Sequence, residues 1–250
     1  MSRETCYRCF WPKPLCWCER ITPIATDTRY VLLMHPKETR TKAGTGRLTH
    51  LCLSNSEIIV GATFEQHERL DALLADEANH VVLLYPGKEA VNLSVAPAGD
   101  GDSDGGGATA EALVSAGKRL VVLVLDATWS CARKMLRLSP RLQRLPRIMF
   151  TPSAPSRFVI KAQPIEGCLS TLESVHEVLS ALARRGLDHY DRPEQLLELF
   201  AAMQRYQIEC AQDPGRGGYR RGNYKAPGER KPMSARSVQR RSNYFRVGEG

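Results

Sequence analysis

Asp126, Thr128 and Trp129 stand together in LVVLVLDATWS, where an unbroken apolar run gives way to polar residues. An ordinary turn at that point would use Gly, Asn or Pro. A carboxylate, a hydroxyl and an aromatic ring within four residues can instead hold and activate a ligand. A carboxylate desolvated at a strand end has a raised pKa and suits general-base work. The plainer alternative is helix capping, for which Asp126 or Thr128 would serve. Two further polar clusters have the same character. His35 closes the apolar run YVLLM, and Ser156-Arg157 precede Leu169, Ser170, Thr171, Leu172 and Glu173. Arg157 offers a bidentate fork for a carboxylate. Ser170 and Glu173 have the S-x-x-E spacing of a capping box, which by itself accounts for both.

Cys6, Cys9, Cys16 and Cys18 form a different kind of constellation, CYRCFWPKPLCWC. A C-x-x-C followed by C-x-C brings four thiolates within reach of one tetrahedral ion. The alternative is a set of buried or redox-active thiols. A segment so poor in apolar residues needs a metal to fold, so a structural zinc is expected, with no position left for a metal-bound water.

These groups need elements to position them. Residues 30–34, 57–61, 80–87, 120–125 and 147–152 read as five short strands, the first ended by Pro36. Residues 48–53, 64–75, 130–138, 169–185 and 193–212 have helical character. Strands alternating with helices imply an α/β domain with a mostly parallel sheet. Continuous apolar strands imply burial on both faces. In such sheets ligands sit beyond the carboxyl ends of the strands, which is where the three polar clusters fall. The stretch APAGDGDSDGGGAT, 96–109, is low in complexity and reads as a mobile insertion. No internal repeat is present.

The chain has 250 residues, 42% hydrophobic and 25% charged, enough for one large core or two modest ones. No apolar run approaches a membrane span. MSRETCYRC has no apolar signal core, so the cytoplasm is the expected compartment. Of the formal charge of +8, residues 211–250 hold +7, ten Lys/Arg against three Asp/Glu; the remainder is near neutral at 25 against 24. Arg and Lys are there interleaved with Tyr219, Tyr224, Tyr244 and Phe245. Basic residues can neutralise phosphates and aromatic faces can stack on unpaired bases, so RNA is the expected partner. The alternative is a solvated, disordered tail.

The ordered motifs C-x-x-C…C-x-C, HPKE, DATW, PSRF and LSTLE resemble the DTW-domain family of tRNA-uridine aminocarboxypropyltransferases, over residues 6–205. The family's Asp-Thr-Trp falls on Asp126, Thr128 and Trp129, with Ala127 interposed. The resemblance implies a SPOUT-like fold with a C-terminal trefoil knot, the 96–109 insertion and the basic tail lying outside it, and the chain is expected in three parts. These are a zinc-binding module at 1–28, a catalytic domain at 29–212 and a basic tail at 213–250. It implies transfer of the 3-amino-3-carboxypropyl group of S-adenosylmethionine to N3 of a tRNA uridine, leaving methylthioadenosine.

On that reading Asp126 either takes the N3 proton or holds the ammonium group of the donor. Leu125, Thr128, Trp129, Ser156, Arg157, Leu169, Ser170, Thr171 and Glu173 would line the donor site. Within it, Arg157 and the Ser170-Thr171 helix start would meet the donor carboxylate. Trp129 would pack beside adenine or uracil, or serve as a buried anchor. His35, Lys37, Arg40, Lys42 and Arg47 would touch RNA from the first loop, and Arg220, Arg221, Tyr224, Lys225, Arg240 and Arg241 from the tail. Two other activities stay open: an RNA methyltransferase on the same scaffold, and a non-catalytic zinc-bearing RNA-binding protein.

Overall fold

A computed structural model of the chain describes residues 4–39, 41, 44–95, 117–161, 163, 167–213 and 226–242. The expected insertion at 96–109 lies outside these, as do Arg40, Lys42, Arg220, Arg221, Tyr224 and Lys225.

Six strands form one sheet: β1 (Arg29–Met34), β2 (Ser56–Val60), β3 (Asn79–Leu84), β4 (Val91–Asn92), β5 (Arg119–Asp126) and β6 (Arg147–Met149). Their spatial order is β2-β1-β5-β3-β6-β4, and every pairing is parallel. β4 is an edge pair of residues that no apolar run announces. The helices are α1 (Thr45–Cys52), α2 (Glu68–Ala75), α3 (Trp129–Arg137), α4 (Pro140–Gln143), α5 (Thr171–Arg184), α6 (Pro193–Gln212) and α7 (Ala235–Ser242). The helix expected from residue 64 starts only at Glu68, because Phe64 is fully buried in the turn before it and its N–H is bonded to Ser139 Oγ.

The apolar run of β5 is continuous because both of its faces are covered. Val122 and Val124 join Tyr30 and Leu32 under α1, α5, α6 and the cysteine segment. Val121 and Leu123 join Val31 and Leu33 under α2, α3 and α4. Side chains alternate across a strand, so two apolar faces need an uninterrupted apolar sequence.

Local chemistry sets the helix starts. Ser170 and Glu173 form a complete capping box on α5, satisfying two otherwise orphaned N–H groups. Pro193 occupies the first turn of α6, where a missing N–H costs nothing. No helix among the described residues is long and apolar enough to cross a membrane.

β1 and β5 lie side by side, Met34 opposite Asp126. From its end β1 leads to α1 on one face, while β5 leads to α3 on the other. Adjacent strands whose connections diverge in this way open a crevice at their carboxyl ends. Asp126 and His35 stand at that point.

Candidate functional site

Asp126 is 5% exposed. Its carbonyl accepts the His35 N–H at 3.0 Å, extending the ladder by one bond. Its carboxylate is held from α5, where Thr171 donates its hydroxyl to Oδ1 at 2.7 Å. Oδ2 is buried and has no hydrogen-bond partner. On the far side the carboxylate presses on the first turn of α1. A Cβ added to Gly46 would stand 2.3 Å from both Cγ and Oδ2 of Asp126. No side chain but hydrogen leaves room there.

Burial pushes the Asp126 carboxyl from its ordinary 3.8 up to about 6, against the Thr171 hydrogen bond that favours the ionised form. Glu38 adds to the rise, while Lys161 and Arg47 oppose it. An anion with one unpartnered oxygen, buried at the end of a strand, has the chemistry to accept a proton or a cationic N–H.

Glu173 is the anchor of the neighbouring wall. It is 4% exposed, and its Oε2 accepts the Ser170 N–H at 2.8 Å and the Ser156 hydroxyl at 2.9 Å. Its Oε1 accepts the Arg157 N–H at 2.5 Å. One turn on, buried Glu177 takes the N–H and hydroxyl of Ser153. The two carboxylates thus clamp the segment after β6 to the start of α5. Gln204 of α6 completes the clamp, donating to the Arg157 carbonyl at 2.9 Å. The capping box therefore does more than cap.

The sequence-derived positions fall out as follows. Asp126 and Thr171 are bonded to each other, and Ser170, Glu173 and Ser156 form a second bonded set that starts at the neighbouring residue of α5. The Arg157 backbone belongs to the second set, while its side chain is exposed. Leu169 is buried and Leu125 half-buried. Thr128 occupies the N-cap position of α3, yet its hydroxyl makes no capping bond and instead meets Ser130 Oγ at 3.3 Å. Trp129 is the first residue of that helix and half-buried. The Ser170 N–H is spent on Glu173, so it is not free to receive a ligand.

His35 is half-buried, its Nδ1 accepting the Lys37 N–H, and Lys37 is exposed. Arg47 is not in a loop: it lies within α1, half-buried, with its guanidinium 4.0 Å above the Phe10 ring. Arg240 and Arg241 lie on α7. Sequence reasoning missed Gly46, Glu38 and Lys161. Only Gly46 carried a signal, a glycine just inside a helix start where propensity favours Ala.

Cys6, Cys9, Cys16 and Cys18 bring four Sγ atoms within 4.8 Å of one another. Cys6 and Cys18 are 3.9 Å apart, Cys9 and Cys16 3.8 Å. A tetrahedron with Zn–S of about 2.3 Å has an edge of about 3.8 Å, so the donor set fits zinc in type and spacing. Backbone N–H groups of Cys9 and Arg8 lower the Cys6 thiol to about 6, while burial raises Cys18. Trp11 and Trp17 pack edge-on with each other and with Tyr206 of α6, fastening the cysteine segment to the body.

The pattern of the DTW domain matches residues 3–208. Among curated proteins, the chain is similar to tRNA-uridine aminocarboxypropyltransferase 2 of Drosophila melanogaster. The two are 31% identical over 188 residues, covering 73% of this chain and 68% of that protein. The protein of the same name from Mus musculus is 27% identical over 218 residues, 84% of this chain and 68% of its own. tRNA-uridine aminocarboxypropyltransferase A of Arabidopsis thaliana is 25% identical over 224 residues, 82% of this chain and 81% of its own. No solved structure matches the chain.

Proposed function

The chain belongs to the DTW-domain family, and we propose that it is a tRNA-uridine aminocarboxypropyltransferase acting on N3 of a uridine. S-adenosylmethionine supplies the electrophile, the γ-carbon of its methionyl chain, and leaves as methylthioadenosine. The N3–C bond forms as the C–S bond breaks, and the N3 proton must go to a base. That base is Asp126. The observation that carries the reading is its carboxylate: nearly dry, bonded on one oxygen and unpartnered on the other, at the divergence of β1 and β5. With a pKa of about 6 it is ionised at neutral pH yet basic enough to assist.

The remaining roles follow from position. Thr171 aims the carboxylate. Glu173 and Gln204 hold the Ser156-Arg157 segment, whose exposed guanidinium meets the carboxylate of the donor. Leu125, Leu169, Thr128 and Trp129 line the donor pocket. A SPOUT-like scaffold with a C-terminal trefoil knot is supported by the parallel sheet and its switch-point order. Cys6, Cys9, Cys16 and Cys18 hold a structural zinc, four sulfurs leaving no place for a water. His35, Lys37 and the basic tail contact tRNA phosphates. The cytoplasm is the compartment this reading expects.

Mass spectrometry of tRNA incubated with protein and S-adenosylmethionine tests the reading. A gain of the aminocarboxypropyl mass supports it. A methyl gain would indicate an RNA methyltransferase, and no gain a non-catalytic RNA-binding protein; either would overturn it.

A further inference from the structure

Ala202, Arg205, Tyr206 and Glu209 recur at the i, i+3, i+4, i+7 spacing that aligns residues along one side of a helix. Beside that stripe Leu199, Phe200 and Met203 belong to the core. Between the stripe and Trp17 and Arg20 of the cysteine segment lies a cleft of about 330 Å³, at the small end of the range for ligand sites. Two guanidinium groups line it. Arg20 stands over the Trp17 ring, 5.1 Å from the centroid. Trp17 is itself 5% exposed and fixed by edge contacts with Trp11 and Tyr206. Stacking on a fixed ring limits where the guanidinium can stand, and a planar fork so held suits two oxygens of a phosphate. Among the described residues neither Arg20 nor Arg205 makes an ion pair, although Glu209 lies one turn from Arg205 on the same helix. Glu209 gives the wall one carboxylate, so the cleft is not a plain anion hole. It suits a group that is anionic at one end and carries N–H at the other.

We propose that this cleft receives one unpaired nucleotide of the tRNA, its phosphate on Arg20 and Arg205 and its base toward Tyr206 and Glu209. A carboxylate accepts from the amino groups of bases, and an aromatic ring offers them an apolar surface. So small a cleft admits a splayed nucleotide and not a duplex, the form in which proteins read RNA sequence. Its place in the fold agrees. The helix that forms one wall also carries Gln204, which holds the Arg157 carbonyl, and the cysteine segment that forms the other reaches α1 where Phe10 lies beneath Arg47. RNA held there rests on two parts that adjoin the site at Asp126. The inference rests on tRNA being the substrate; it does not depend on the role of Asp126.

The test titrates labelled tRNA with the full chain at several salt concentrations. Arg20→Gln and Arg205→Gln should each raise Kd about tenfold, the share of one charge-assisted hydrogen bond, and should lower the salt slope by about one. Ala202→Phe fills the cleft without changing the charge, and should weaken binding and lower the slope as an Arg loss does; Ala202→Leu replaces it should the larger ring prevent folding. Metal content and S-adenosylmethionine affinity should stay as in wild type in every variant. Binding within about twofold of wild type at every salt concentration in the double Arg variant would overturn the proposal. So would a folded Ala202→Phe that binds tRNA normally while the Arg variants weaken, which would mean general attraction to a basic surface. If transfer proceeds in wild type and the variants bind normally, the cleft falls and the assigned reaction stands. If the variants weaken binding and wild type transfers nothing, the cleft stands and the reaction falls.

Discussion

Replacing Asp126 by Asn should greatly slow transfer and, at neutral pH, make the protein more stable. The folded carboxyl titrates at about 6 against an ordinary 3.8, and burial is the main cause. A group whose pKa is raised on folding binds its proton more tightly in the native state. Stability therefore falls as pH rises through the interval between the two values, and the loss is complete above about 6. A gap of about two units at about 1.4 kcal/mol each is about 3 kcal/mol. Asn cannot ionise, so it escapes this term. It keeps a carbonyl oxygen to accept from Thr171, and its amide takes the place of the protonated acid rather than of the anion. The stability of the variant minus that of wild type should thus grow by about 3 kcal/mol between pH 4 and pH 7. In a chain of this size that is a relative shift in Tm of about 6–12 °C. Denaturant melts at a series of pH values measure it directly. Transfer should meanwhile fall by about a hundredfold or more, as for a lost general base. A stability difference that stays flat from pH 4 to pH 7 would show that the native carboxylate is ionised without cost, and the reasoning from burial would fail.

Three further outcomes are expected. Gly46→Ala should destabilise the fold by about 2 kcal/mol or more, since its Cβ has no space beside the Asp126 carboxyl; pairing it with Asp126→Ala should recover much of the loss in a double-mutant cycle. Glu173→Gln keeps the shape but weakens the bonds to Ser156, Arg157 and Ser170, so isothermal titration should show weaker S-adenosylmethionine binding, with a loss of about 2–3 kcal/mol in chemical melts. Truncation after Gln212 should weaken tRNA binding and flatten its dependence on salt while leaving donor binding intact, because residues 211–250 carry +7 of the formal +8; unchanged affinity at every salt concentration would refute it.

The class of fold was legible because it depends on one-dimensional patterns. Uninterrupted apolar runs such as LVVLVL announce strands buried on both faces, and Ser170 with Glu173 announces a helix start. β4 was not legible, since two residues at a sheet edge carry no period. The site divides in the same way. Asp126 stood out as a charge closing an apolar run. Thr171 holding it, and Gly46 making room for it, come from segments 45 and 80 residues away in sequence, and no local signal links them. Arg47 illustrates the limit most plainly. Its surroundings read as a basic, glycine-containing loop suited to phosphate. The fold instead turns it inward on Phe10, a tertiary contact that outweighs local composition.

The place of β5 in the sheet has a consequence for a chain emerging from the ribosome. β1 and β2 can pair as soon as both are made, but β3 has no partner among the strands before it, since its neighbours are β5 and β6. Until residue 126 has appeared, β1 and β3 each present a bare edge to the solution. The aromatic clasp of Trp11 and Trp17 must wait longer still, for Tyr206. Asp27 and Thr28 likewise await the Asp188 carboxylate that accepts their N–H groups. The cysteine segment is thus among the last to dock. Until those later residues are made the nascent molecule therefore carries unpaired strand edges and an undocked cysteine segment, the condition in which chaperones are engaged and aggregation begins.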